Sequence, residues 1–179
     1  MKKRPVKTKK IEVAIVMGSD SDWPLLQETF NTLAGFGVGC EVRVMSAHRT
    51  PDLAASYARK AAASGIKVMI AAAGGAAHLA GVVCAHTTLP VIGIPVPSSF
   101  MNGLDSLLST VQMPAGVPVA TVATGKAGAV NAAILAVQIL ALGRPELAQK
   151  LVAHKATLIE KVNEGNARIQ NEIKNLKQA

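Results

Sequence analysis

A histidine and an arginine stand side by side in Ser46-Ala47-His48-Arg49-Thr50-Pro51. An arginine presents a fixed fork of donors that suits an anion, and a histidine can carry a proton near neutral pH. The pair follows the apolar-alternating run Cys40 to Met45 and precedes an alanine-rich segment opened by Pro51. The spacing therefore places it where a strand gives way to a helix. In open α/β folds that is where ligands bind, at the carboxyl ends of the strands.

Two further loops carry chemistry-bearing residues. Gly18-Ser19-Asp20-Ser21-Asp22 separates the apolar run Ile11 to Met17 from a helix opened by Trp23-Pro24. Backbone N–H groups and hydroxyls at a helix start suit a phosphate. A carboxylate such as Asp22 can accept from sugar hydroxyls. Serine and aspartate are also ordinary N-caps, and on this motif alone both readings stand. Ala73-Gly74-Gly75-Ala76-Ala77-His78-Leu79 follows a third apolar run. Its glycines permit close backbone approach to a ligand, or serve a tight strand-to-helix turn.

Other motifs are excluded on their residues. GxGxxG is absent, so the first loop is no dinucleotide fingerprint. Gly125-Lys126 copies half of a phosphate-binding P-loop, but Ala120 stands at the first glycine position and Ala127 where Ser or Thr should follow the lysine. Lys126 is read as a polar residue at a helix start, His86 as a core-edge histidine and His154 as a surface one. Cys40 and Cys84 lie in apolar runs with no CxxC or metal-ligand spacing, which predicts reduced thiols and no metal.

The elements that must position these loops alternate. Strands are predicted over 11–17, 40–45, 67–72, 90–94 and 118–123. Helices are predicted from Trp23 to about Ala34, Pro51 to about Ser64, a short one from about Ala77, Leu104 to about Gln112, and Lys126 to Leu142. Five βα units in succession predict a three-layer, doubly wound, flavodoxin-like parallel sheet of order 2-1-3-4-5. In that order the loops after strands one, two and three converge on one crevice. It offers phosphate donors, a sugar-binding carboxylate, an imidazole and a glycine-lined floor. These residues point to an enzyme acting on a small phosphorylated sugar derivative, with proton transfer by His48.

Composition sets the outer limits. The chain has 179 residues, half of them hydrophobic but only 3% aromatic. Its 30 alanines predict an aliphatic core with close helix approach. A mean hydropathy of +0.32 calls for a large core or for apolar surface shared between subunits, and the second is favoured. Six basic residues and no acidic one fall in residues 1–10, so most of the net charge of +8 belongs to a short disordered basic tail. Without aromatic interleaving that tail is read as solubilising, and no nucleic-acid partner is expected. The stretch Ile66 to Ala85 is long enough to span a bilayer, but Lys67, the paired glycines and His78 make it strand, loop and buried helix. No membrane partner and no signal peptide are expected, and the reduced thiols fit an expected cytoplasmic protein. The domains expected are the tail 1–10, a catalytic domain 11–143 and a long helix 144–179. That helix carries Leu147, Leu151, Leu158, Val162, Ile169 and Ile173 on one stripe. Gly165 is an interior weakness, and the stripe is expected to pack on a neighbouring subunit.

Taken in order, Val13 to Ser19 with Ser21-Asp22, Ser46 to Pro51, Ala73 to Leu79, Val111-Gln112-Met113-Pro114 and Gly125 to Ala129 closely resemble the PurE family of purine biosynthesis. The match covers roughly residues 11–142. The resemblance implies a class I activity: isomerisation of N5-carboxyaminoimidazole ribonucleotide to 4-carboxy-5-aminoimidazole ribonucleotide on the route to IMP, without metal or cofactor. The class II alternative takes aminoimidazole ribonucleotide and CO2 directly, and the His-Arg-Thr-Pro form resembles class I. The resemblance further implies that His48 is the catalytic acid and base. It assigns Gly18, Ser19, Ser21, Asp22, Ser46, Arg49, His78 and Leu79 to substrate binding. Ala73, Gly74 and Gly75 would line the carboxylate or CO2 pocket. It also implies a homo-octamer. Two departures are visible: the family usually has Pro where Ala80 stands and commonly Ile where Thr124 stands.

Overall fold

The computed structural model describes residues 10–177. The basic tail expected over 1–10 lies outside them apart from Lys10. Five parallel strands form one sheet in the order β2-β1-β3-β4-β5, as the alternation of elements predicts. They are β1 (Ile11–Met17), β2 (Gly39–Val44), β3 (Val68–Gly74), β4 (Val91–Val96) and β5 (Ala120–Thr121). The helices are α1 (Trp23–Phe36), α2 (Pro51–Ala61), α3 (Leu79–Ala85), α4 (Leu104–Val111), α5 (Gly125–Ala141) and α6 (Pro145–Leu176).

Sheet position explains strand composition. β1 is flanked by β2 and β3, and Val13 to Met17 are buried on both faces, as helix-covered parallel strands require. β2 is an edge strand and is only partly covered. Alternating side chains supply two cores. One joins Ala14, Val16, Met69 and Ala71 to Ala54, Ala58 and Ala61 of α2 and to Leu79, Ala80 and Val83 of α3. On the other side α1 and α5 meet through the buried Thr29 hydroxyl, which donates to the Ala129 carbonyl at 2.8 Å. Leu26 and Leu33 of α1 are fully buried, each worth about 1.5–3 kcal/mol.

Local chemistry sets the ends. Proline occupies the first turn of α1 and α2, where a missing N–H costs nothing. α1 stops at Gly37, whose φ of 81° is the left-handed cap. Several boundaries differ from the expected ones: β2 and β4 shift along the chain, and α2 ends at Ala61 rather than near Ser64. β3 runs on to Gly74 because Ala73 and Gly74 find partners in Pro95 and Val96. β5 shrinks to two residues, paired to Ile92 and Gly93 at the sheet edge.

The chain divides into two compact units, one ending at Leu140 and the other beginning at Ala141. The second holds α6, which continues unbroken through Gly165 for 32 residues. Leu147 is buried, whereas Leu158, Val162, Ile169 and Ile173 are exposed. Among the described residues no helix is long and apolar enough to cross a membrane.

Candidate active site

The loops after β1, β2 and β3 meet at the carboxyl end of the sheet. They enclose a cavity of about 360 Å³ lined by Gly18, Ser19, Asp22, Ser46, Arg49, Ala73, Gly74, His78 and Leu79, with His48 among them. Ala47 and Ala76 complete the wall. Of the residues expected at the site, Ser21 and Gly75 alone do not line it.

The first loop is built by reciprocal capping. The Ser19 hydroxyl accepts from the Ser21 N–H at 3.3 Å, and the Ser19 N–H donates to Asp22 Oδ2 at 3.3 Å. The Ser21 hydroxyl donates to Ser19 Oγ at 2.8 Å. Ser21 thus supports Ser19 from behind. Burial pushes the Asp22 carboxyl above its ordinary value, and the neighbouring Asp20 charge adds to this. The Ser19 N–H and Arg49 act against both.

The second loop turns on Ser46. Its hydroxyl accepts from the N–H groups of His48, at 3.3 Å, and Arg49, at 3.1 Å. The Thr50 hydroxyl accepts from the Ser46 N–H at 2.9 Å. Arg49 Nη2 reaches across to the Gly18 carbonyl at 2.7 Å, so the first two loops are tied by the guanidinium. Arg49 as a whole is exposed.

The third loop brings in a contact that sequence spacing does not reveal. His78 Nδ1 lies 2.8 Å from His48 Nε2, with the rings edge to face at 80°. At that distance one of the two facing nitrogens must lack a proton. The residues are 30 apart in the chain, and the shared sheet and the packing of α2 on α3 bring their loops together. Before His78 the backbone makes two tight turns, with Ala77 N–H donating to Gly75 O and His78 N–H to Ala76 O, both at 2.8 Å. α3 therefore begins at Leu79 rather than at Ala77.

Gly75 has a φ of 64°, a conformation that favours glycine. Its N–H is directed to the buried Ser106 hydroxyl at 2.8 Å, away from the cavity. Ser106 carried no motif signal in the sequence.

The remaining candidates fall elsewhere. Lys126 pairs with Glu28 of α1 at 2.7 Å on the surface and does not line the cavity. His86 ends α3, with Nδ1 3.4 Å from Arg59 Nη1. Cys40 and Cys84 are free and partly buried, and burial raises both thiols. Among the described residues no three His, Cys, Asp or Glu side chains group as metal ligands.

The site can hold an anion at Arg49, accept hydrogen bonds at Asp22 and move a proton at His48. The model of a family described as AIR carboxylase matches residues 12–161. The chain is 55% identical to the N5-carboxyaminoimidazole ribonucleotide mutase of Mycobacterium tuberculosis over 158 residues, covering 88% of this chain and 90% of the relative. It is 51% identical to the mutase of Pyrococcus horikoshii over 165 residues, covering 92% of each. The crystal structure of Treponema denticola PurE superposes with a TM-score of 0.79 at 30% identity, covering 87% of this chain and 96% of that one. The chain belongs to the AIR carboxylase family.

Proposed function

We propose that the protein is a mutase that converts N5-carboxyaminoimidazole ribonucleotide to 4-carboxy-5-aminoimidazole ribonucleotide in purine biosynthesis. The observation that carries the reading is His48, held at the cavity mouth beside Arg49 and in contact with His78. Long, highly identical relatives bearing that name support it.

Arg49 and Ser19 take the substrate phosphate, and Asp22 accepts from the ribose hydroxyls. His48 as imidazolium protonates the carbamate nitrogen, the N–C bond breaks, and CO2 is held under the Ala73–Gly75 loop. The electron-rich C4 attacks CO2, and neutral His48 then takes the C4 proton, restoring aromaticity. One residue acts as acid and then base, so the proton cycle closes with no other group. The contact with His78 fixes the His48 ring for both steps. Excluding water keeps CO2 from being lost.

The chain acts as a homo-octamer in the cytoplasm, with residues 11–143 as its catalytic domain. The segment 144–179 packs on a neighbouring subunit through the exposed Leu158, Val162, Ile169 and Ile173. Purified protein is assayed with N5-carboxyaminoimidazole ribonucleotide, and separately with aminoimidazole ribonucleotide and bicarbonate. The mutase reading expects product from the first without added bicarbonate. Turnover of the second alone would assign the class II carboxylase, and turnover of neither would end both readings.

A further inference from the structure

We propose that Ser106 is a positioning residue for this reaction, latching the glycine loop so that CO2 released from nitrogen is captured by carbon rather than lost. The inference rests on the mutase reading above. It starts from a buried hydroxyl that none of the proposed catalytic steps uses. Ser106 is fully buried near the start of α4, and its Oγ accepts the Gly75 N–H at 2.8 Å.

What fixes that oxygen as an acceptor is Asp105. Its Oδ1 accepts the Ser98 hydroxyl at 2.6 Å, the Ser106 N–H at 2.8 Å and the Ser106 hydroxyl at 3.4 Å. The Ser98 hydroxyl above all holds the Asp105 carboxyl below its ordinary value, so it stays an ion at neutral pH. An ionised carboxylate only accepts, so both serine protons point at it. The lone pairs of Ser106 are then left for Gly75. One carboxylate thereby ties three segments: the 73–78 loop, the loop through Ser98, and the first turn of α4.

The tie matters because of where Gly75 sits. It follows Ala73 and Gly74, which line the cavity, and its carbonyl accepts the Ala77 N–H on the way to His78. Fixing the Gly75 N–H therefore fixes both the cover over CO2 and the approach to the histidine pair. Without the latch the N–C bond still breaks and the nitrogen still takes its proton. CO2 then diffuses away before the C4–C bond forms, leaving aminoimidazole ribonucleotide and CO2 as products.

The test compares Ser106→Ala with the parent enzyme and with Thr110→Val. Thr110 is also buried on α4 and its hydroxyl donates to the Ser106 carbonyl at 2.7 Å, but it does not touch Gly75. The readout is aminoimidazole ribonucleotide formed per N5-carboxyaminoimidazole ribonucleotide consumed, corrected for uncatalysed decarboxylation. Loss of one hydrogen bond predicts that this fraction rises about fivefold or more in Ser106→Ala, while Thr110→Val stays at the parent value. Amide exchange at Gly75 accelerates by a similar factor, about fivefold, in Ser106→Ala alone. Should Ser106→Ala fail to fold, Ser106→Cys, a weaker acceptor of similar shape, takes its place. Parent-like partitioning in the Ser106 variant, or equal diversion in Thr110→Val, overturns the latch. A parent enzyme that makes no carboxylated product overturns the mutase reading instead, and Gly75 exchange still decides whether the latch exists.

Discussion

Replacing His48 by asparagine separates catalysis from folding. The side chain is exposed, so no core volume is vacated, and surface changes of this kind stay within about 0.5 kcal/mol. The exposed 2.8 Å contact with His78 is also lost, at about 0.5–1.5 kcal/mol for a typical hydrogen bond. The stability loss is then about 1 kcal/mol, or roughly 2–4 °C in Tm for a chain of this size. Loss of general acid–base transfer costs at least ~10² in kcat, equivalent to about 2.7 kcal/mol of barrier. Arg49 and Asp22 are untouched, so KM stays within a few-fold. The assay follows formation of the 4-carboxylated product over a range of substrate, with Tm measured on the same sample. A kcat within tenfold of the parent, at a Tm near the parent's, would refute the assignment of His48.

Arg49→Ala raises KM more than it lowers kcat, since a hydrogen bond to a charged group is worth about 1.5–3 kcal/mol, or roughly 10- to 150-fold in affinity; unchanged nucleotide binding by calorimetry counts against the phosphate role. Asp22 has a raised carboxyl in the folded protein. Its ionisation therefore opposes folding, and its contribution to stability falls as pH climbs from the ordinary carboxylate value through the raised one. The same ionisation equips it to accept ribose hydroxyls, so kcat/KM falls as pH drops through that window. Asp22→Asn flattens this acid limb, and a limb of unaltered position in the variant excludes Asp22. Gly93→Ala would drive a methyl into Thr110 Cγ2 and set it 2.8 Å from Val119 Cγ1; overpacking of this kind costs about 1–3 kcal/mol, read as a lower urea midpoint. Deleting residues 2–10 leaves kcat and KM at parent values, and a tenfold loss would give the basic tail a part in the reaction.

The order of the sheet was legible because the apolar runs and their punctuation agree at every step. Ile11 to Met17 is read to the residue, since its inner run Val13 to Met17 is buried and apolar throughout. Val119, Val122 and Ala123 have strand-like composition and lengthen the predicted β5, whereas the structure pairs Ala120 and Thr121 only. Hydrogen bonding at a sheet edge depends on the neighbour, which composition does not encode. The site divides in the same way. His48, Arg49, Ser19 and Asp22 stand out because their types are wasted on a core. The His48–His78 contact and the Ser106–Gly75 bond join residues 30 and 31 apart. They arise from helix packing, and nothing local to either partner announces them. The motif makes Gly75 a candidate wall of the site, whereas its amide is spent on Ser106.

The alanines of α2 bear on how the histidine pair is kept. Ala54, Ala58 and Ala61 are buried against a core shared with α3, and His48 and His78 lie just ahead of the two helices. A methyl group has no rotamers, so the gap between α2 and its surroundings has one width and no adjustable spacer. A larger residue at Ala54 or Ala58 would push the whole helix outward and carry the His48 loop with it. A hydrogen bond of 2.8 Å has little room for such a shift. In a collection of random variants, inactivating changes should therefore appear along the inner face of α2, at residues with no chemistry of their own. There the small side chains act as a ruler for the proton-transfer site.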